Sequence, residues 1–236
     1  SAKTAGRKAP VETTARPAAP AAHPDPQPSA SNRRRSLLIL AAILLVALLP
    51  RLATLKTVAT PAGPIYHHLE WDERVLTTLV EQGKTDFFAY TLQGTPLLRE
   101  LTPENYDYPI FFHPPGFVAV GRLLPFLPLP LVPVLMNLAT IALVFFVGRR
   151  LYDDERALWA AFLVAVCPVT WFVSQKIWLD NMVVCMAAAT IAATIWAADR
   201  RQPAAYALAG ATFGIAFLAK AIAPVILAAA IVVVLQ

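Results

Sequence analysis

Six ionisable side chains stand out by where they fall relative to the apolar runs of this chain: Asp72, Glu73, His113, Lys176, Asp180 and Lys220. Asp72 and Glu73 open a short amphipathic stretch, and His113 precedes a pair of prolines. Lys176 and Asp180 lie in a brief turn between two apolar runs, and Lys220 interrupts a third. Carboxylates and cations gathered at the depth of lipid headgroups suit one kind of reaction in particular, on a lipid-linked phosphate. The cations hold the phosphate, and a carboxylate activates or orients an acceptor hydroxyl. Whether these groups can meet depends on the elements that carry them.

Of 236 residues, 57% are hydrophobic and 15% charged, well below the roughly 25% charged residues of soluble domains. The net charge of +5 is not spread over a folded surface, since seven of the 20 Lys and Arg lie in the first 35 residues. A soluble enzyme, a nucleic-acid-binding domain and a disulfide-stapled secreted module are therefore disfavoured. Cys167 and Cys185 both fall inside apolar runs, which suggests neither a disulfide framework nor a metal knuckle. The chain opens on Ser1 and ends at Gln236 within an apolar run, and is expected to be part of something longer.

Residues 1–32 are rich in Ala and Pro and contain no Phe, Trp or Tyr, a composition expected to be disordered. With Arg33, Arg34 and Arg35 they form a cytoplasmic tail, 1–35. Transmembrane spans are expected at about 36–55, 131–148, 157–174, 181–198 and 204–220, each within the range of about 17 to 25 residues that crosses a bilayer, and 222–236 is expected as the start of a sixth. Arg51 is expected to snorkel to an interface. The apolar run from 204 to 235 is too long for one straight span and should break near Lys220–Pro224. The fold class is thus all-α: a polytopic transmembrane helical bundle with a large first extracytoplasmic loop, 56–115, containing short interfacial helices.

With the tail in the cytoplasm, the inner segments hold twelve Lys and Arg and the outer ones five, in keeping with the positive-inside rule. The outer loop has eight acids against four bases. Trp71–Gln82 reads as an amphipathic helix with Leu76, Leu79 and Val80 on one face, stopped by Gly83, and Phe111–Leu124 as a second helix along the membrane surface. Lys220 lies sixteen residues after Ala204, about 24 Å along a helix rising from the inner face. All six ionisable groups are therefore expected on the extracytoplasmic side.

The order of these features resembles the N-terminal half of the GT-C membrane glycosyltransferases, within which the protein O-mannosyltransferase and aminoarabinose-transferase group is most similar. The likeness rests on Trp71-Asp72-Glu73, His113-Pro114-Pro115-Gly116, the Arg149-Arg150 turn, Leu179-Asp180-Asn181 and Ala219-Lys220-Ala221, over about 36–236. It implies transfer of a sugar from a polyprenyl-phosphate carrier, with inversion, to an acceptor on the outer or lumenal face. It further implies Asp72 as general base or acceptor-orienting group with Glu73 as helper, His113 and Lys220 at the carrier phosphate, Arg74 as a further donor-binding base, and Asp180 in support. Flanking alanines at Lys220, where the family usually has Thr and Gly, depart from its pattern. The lipid-linked sugar is the donor substrate; neither a nucleotide nor a nucleotide-bound metal is required.

Plainer roles stand beside these. Asp72 and Glu73 at a helix start also satisfy free N–H groups and the helix dipole, Asp180 also serves as a cap, and His113 and Lys176 also serve as interfacial side chains. Two adjacent His at 67 and 68 rarely point at one ion, so a divalent metal site is disfavoured. The partners expected are membrane lipids, the polyprenyl-phosphate sugar and an acceptor of protein, lipid or glycan type, with no nucleic acid. A bacterial plasma membrane is preferred to the endoplasmic reticulum. The rival readings are a transporter or flippase, which predicts polar groups at the midplane, and a non-catalytic membrane subunit.

Overall fold

The apolar runs become helices of bilayer length in the computed structural model, which describes residues 30–55, 57–60, 63–66, 69, 71–81, 115–220 and 225. Helix α1 spans Ala30–Ala53. A two-stranded antiparallel hairpin follows, β1 (Thr57–Thr60) with β2 (Gly63–Tyr66), paired from Thr57↔Tyr66 to Thr60↔Gly63. Then come α2 (Trp71–Glu81) and α3 (Gly116–Leu123). The remaining helices are α4 (Leu131–Leu151), α5 (Asp154–Val166), α6 (Pro168–Ser174), α7 (Leu179–Arg200) and α8 (Pro203–Ala219).

Three helices are long and apolar enough to cross a bilayer, Asn32–Ala53, Leu131–Leu151 and Leu179–Arg200. The chain is a polytopic helical membrane protein. Helix α1 begins before Arg33, so the last residues of the expected tail are helical; residues 1–29 lie outside the described residues. The hairpin had no counterpart in the sequence reading, although β-branched Thr57, Val58 and Thr60 ahead of Pro61 and Gly63 are its signal.

The expected third span, about 157–174, is divided. Its two halves, α5 and α6, are bent by 58°. Pro168 has no N–H to give, and Cys167 before it is extended (φ −61°, ψ 123°), the conformation a following proline imposes. Thr170 repairs part of the damage, its hydroxyl donating to the Val164 carbonyl at 2.6 Å. The long run after Ala204 also breaks where expected. Helix α8 stops at Ala219, and Lys220 is extended (φ −157°, ψ 135°).

Leu40, Ile43 and Ala47 of α1 pack on Ile141 and Phe145 of α4 and on Ala157, Ala161 and Ala165 of α5. Spacings of three and four residues put each set on one helix face. A methyl on Gly148 would lie 3.1 Å from the Ala157 Cα, so this glycine admits α5 directly against α4. A second cluster joins Leu76, Phe117, Leu129, Val132, Ile177, Leu179, Met182 and Ala219 near the other end of the bundle. Large apolar side chains such as Leu38, Leu45, Leu49, Trp159 and Leu163 stay exposed along the flanks, as lipid contact requires.

The two ends of the bundle differ. At one, α1 and α8 start, α4 ends and α5 starts. Asp153 caps α5 by accepting the Arg156 N–H at 2.8 Å, and Arg201 takes the left-handed conformation (φ 50°) that turns α7 into α8. There Arg150 grips Asp199 through two hydrogen bonds of 2.7 and 2.6 Å, tying α4 to α7. Both partners are solvent-exposed, so Asp199→Asn is expected to cost less than about 1 kcal/mol in denaturant unfolding. A larger loss would mean that this pair holds the two helices together.

Arg51 does not snorkel to solvent. It is 1% exposed, inside the bundle. Its Nη1 donates to its own helix at Ala47 O (2.8 Å), its Nη2 to Ala165 O (3.2 Å) and its Nε to Ser174 Oγ (3.1 Å). The sequence reading saw an Arg beside Pro50 at the end of an apolar run. What it lacked was the broken helix at the same depth, whose end leaves a carbonyl to be capped.

Candidate functional site

The opposite end carries the residues of interest. Helix α7 starts after Trp178, which is extended and makes no side-chain cap. Asn181, one turn in, donates its amide back to Val173 O (2.9 Å) and Lys176 O (3.3 Å). The turn from α6 into α7 is thereby closed on itself. Asp180 sits in the first turn of α7, where the helix dipole favours an anion.

Lys176 lies in this turn and is buried at 5% exposure, not extended to water as an interfacial lysine would be. Its ammonium stands 5.0 Å from the Phe172 ring centre and 5.8 Å from that of Trp178, close enough for both ring faces to attract the charge. The indole Nε1 of Trp178 is buried and meets no acceptor among the described residues. A buried indole donor favours an acceptor close by.

Helix α2 docks onto the same turn. Val75, Leu76 and Leu79 are buried, and Glu73, three residues before Leu76, turns inward with them. It is 0% exposed, and its Oε1 accepts the Ile177 N–H at 2.9 Å. Asp72 lies on the exposed side of the same helical turn and Arg74 is half-buried. The two acids of the Trp71-Asp72-Glu73 stretch thus part company, one holding the turn and the other open to solution.

Lys220, just past the end of α8, meets Asp180 at 3.1 Å. The pair is 34% and 49% exposed, so a competing anion can reach the ammonium. Helix α3 rests on the end of α8, since a methyl on Gly116 would lie 2.5 Å from the Leu218 carbonyl oxygen. His113 lies outside the described residues. Among the described residues, then, Glu73, Lys176, Asp180 and Lys220 come together around one turn, with Asp72 at the start of the helix that packs on it. No three His, Cys, Asp or Glu side chains gather as a metal cage would among those residues.

Cavities lie on both sides of this picture. One of about 190 Å³ separates α2 from α3, lined by Thr77, Glu81, Gly121 and Arg122 among others. A wider one of about 750 Å³ opens at the arginine-rich end, beside Arg35, Arg149 and Asp154. Size does not decide between them. Cations and carboxylates also meet at the arginine-rich end, in Arg149–Asp154, Arg150–Asp199 and Arg156–Asp153; what sets the opposite end apart is that buried Lys176 and Glu73 lie there beside the Lys220–Asp180 pair.

Sequence reasoning missed Arg51, Ser174 and Gln175 as supports of the turn. It also made Glu73 a helper to Asp72 and not a support of the turn, although the three-residue step from Glu73 to Leu76 signalled its inward face.

Fold and site together define a polytopic helical membrane protein with charged groups at both ends of the bundle, Lys176, Asp180 and Lys220 lying at the end opposite the arginines. Residues 121–236 match the family model described as dolichyl-phosphate-mannose-protein mannosyltransferase, a likeness to the glycosyltransferase superfamily. The matched segment takes in Lys176, Asp180 and Lys220, and leaves out Asp72, Glu73, Arg74 and His113. Among curated proteins, none matches the chain.

Proposed function

We propose that this chain carries the catalytic end of a membrane glycosyltransferase that moves a sugar from a polyprenyl-phosphate carrier to an acceptor outside the cytoplasm. One observation carries the reading: the accessible Lys220–Asp180 pair beside the turn on which α2, with Asp72 in its first turn, is docked. The family likeness of residues 121–236 supports the same class.

The chemistry follows from those groups. The acceptor hydroxyl attacks the anomeric carbon while the bond from that carbon to the phosphate oxygen breaks. Asp72 takes the hydroxyl proton. The phosphate leaves with the bonding electrons, and Lys220, His113 and Arg74 stabilise its charge. Asp180 holds Lys220 until the phosphate competes for it. A single displacement inverts the anomeric centre. A nucleotide and a nucleotide-bound metal are not needed, because a lipid phosphate is already a competent leaving group. The opposite end of the bundle carries Arg33, Arg34, Arg35, Arg149, Arg150, Arg156, Arg200 and Arg201; a cytoplasmic location for that end follows from the positive-inside rule, and a bacterial plasma membrane is preferred to the endoplasmic reticulum. The first loop then lies outside, with α2 and α3 at the membrane surface.

The test is a transfer assay with polyprenyl-phosphate sugars on the complete protein in lipid nanodiscs. Asp72→Asn is expected to lower turnover by about a hundredfold, the usual worth of a positioned base, with unfolding unchanged. Full turnover in a folded Asp72→Asn protein would remove Asp72 from the reaction. Loss of assembly with a partner, without loss of transfer, would favour a subunit role.

A further inference from the structure

Arg51 is the largest fully buried side chain of the described residues, and no carboxylate pairs with it there. A cation inside a membrane bundle with only neutral oxygens around it is costly and is kept for a reason. Its three contacts lie on three different segments: Ala47 of α1, Ala165 at the end of α5, and Ser174 at the end of α6.

The middle contact explains the choice of residue. In a continuous helix the Ala165 carbonyl would accept the amide at 169, but the chain breaks at Cys167–Pro168. The guanidinium supplies the missing donor, and its planar fork can serve the two neighbouring segments simultaneously. Ser174 relays the contact by donating its own hydroxyl to Trp171 O at 2.6 Å. Immediately beyond, Gln175 Oε1 meets the Thr54 hydroxyl of the same α1 end at 2.9 Å. The next residues are Lys176, between its two rings, and Ile177, whose N–H is held by Glu73.

We infer that Arg51 is a positioning residue: its buried guanidinium fixes the bend between α5 and α6, and through Ser174 and Gln175 sets the height of the turn that carries Lys176 and leads into Asp180. Its effect on turnover rests on the proposed sugar transfer; its effect on the bend does not. Two native thiols separate the two. Cys167 lies in the bend, half-buried, and Cys185 is buried in α7.

The experiment compares Arg51→Met, Arg51→Lys and Ser174→Ala with the parent in nanodiscs, by N-ethylmaleimide labelling and by transfer kinetics. Labelling of Cys167 is expected to quicken about fivefold in Arg51→Met as the bend opens locally, while Cys185 stays protected. Turnover is expected to fall about a hundredfold for a turn displaced by an ångström, with the donor KM within about twofold of the parent. A merely structural role would lower the yield of folded protein without this division between kcat and KM. Arg51→Lys, with one ammonium for three acceptors, should fall between parent and Arg51→Met. If both thiols of Arg51→Met label rapidly, it has unfolded, and Ser174→Ala, which removes a single hydroxyl, decides by the same two readouts. Parent-like Cys167 labelling in the folded variants overturns the clamp, whatever the transfer result. Altered labelling with parent-like turnover overturns the positioning role. A parent that transfers no sugar sinks the functional reading instead, and the labelling still decides the clamp.

Discussion

Glu73→Ala is expected to destabilise the protein by about 3 kcal/mol, from a lost hydrogen bond to a buried amide together with the cavity left behind. The Glu73 side chain has no exposed surface, and neither has Ile177, whose N–H it receives. Water cannot replace the carboxylate there, so the amide would stay unsatisfied. Glu73→Gln keeps an oxygen in place and should cost less than about 1 kcal/mol. Denaturant unfolding of the three proteins in one detergent measures the difference. Equal stability of the Ala and Gln variants would mean that the contact with Ile177 does not hold α2 to the turn. The same pair separates the two acids of the site. A general base at Glu73 would make Glu73→Gln as inactive as Asp72→Asn, whereas a residue that holds the turn leaves Glu73→Gln within about threefold of the parent, its transition-state contacts being intact.

The division of labour between Asp72 and Glu73 illustrates what the sequence discloses and what it withholds. Apolar runs of about 20 residues disclose the spans, because each must match the bilayer; α1, α4 and α7 lie where the hydropathy puts them. Helix-length arithmetic also carries Lys220 to the end of the bundle where Asp180 begins α7. Their meeting at 3.1 Å is different, since forty residues separate them and no local spacing encodes the packing of α8 on α7. The bend at Cys167–Pro168 is hidden for another reason. Val164 to Val173 is apolar throughout apart from Thr170, and a proline in such a run reads equally as a kink within one helix or as the start of a second. Arg51 depends on that bend. Until the break is known, no acceptor exists for a buried guanidinium, and the interface is its natural address. The positions that the sequence misplaces are therefore those whose partners are created by tertiary structure, and these surround the candidate site.

Gly116→Ala is expected to be the most damaging single methyl in the described chain, at a cost of about 3 kcal/mol, the upper part of the range for overpacking. A Cβ at this position would lie 2.5 Å from the Leu218 carbonyl oxygen, 2.7 Å from its carbon and 3.1 Å from the Ala219 nitrogen. These are backbone atoms at the end of a helix and cannot swing aside as side chains do. Gly121 offers the contrast, for its nearest neighbours are the Val80 and Leu129 methyls at 2.9 to 3.2 Å, which can repack at lower cost. Gly210 faces nothing within 4 Å among the described residues, so Gly210→Ala should change stability by no more than about 0.5 kcal/mol. Thermal unfolding of the three variants in nanodiscs tests the order, and coincident transitions for Gly116→Ala and Gly210→Ala would rule out the close approach. The consequence reaches the chemistry because Leu218 is two residues from Lys220. If α3 is pushed away from α8, the end of α8 must shift or tilt, and the Lys220 ammonium moves relative to Asp180. Turnover should then fall about a hundredfold, as expected for a charge displaced by roughly an ångström, even at a temperature where Gly116→Ala remains folded. The glycine that closes His113-Pro114-Pro115-Gly116 thus serves close approach between two helices, and it ties that stretch of the first loop to the lysine at which the carrier phosphate is proposed to bind.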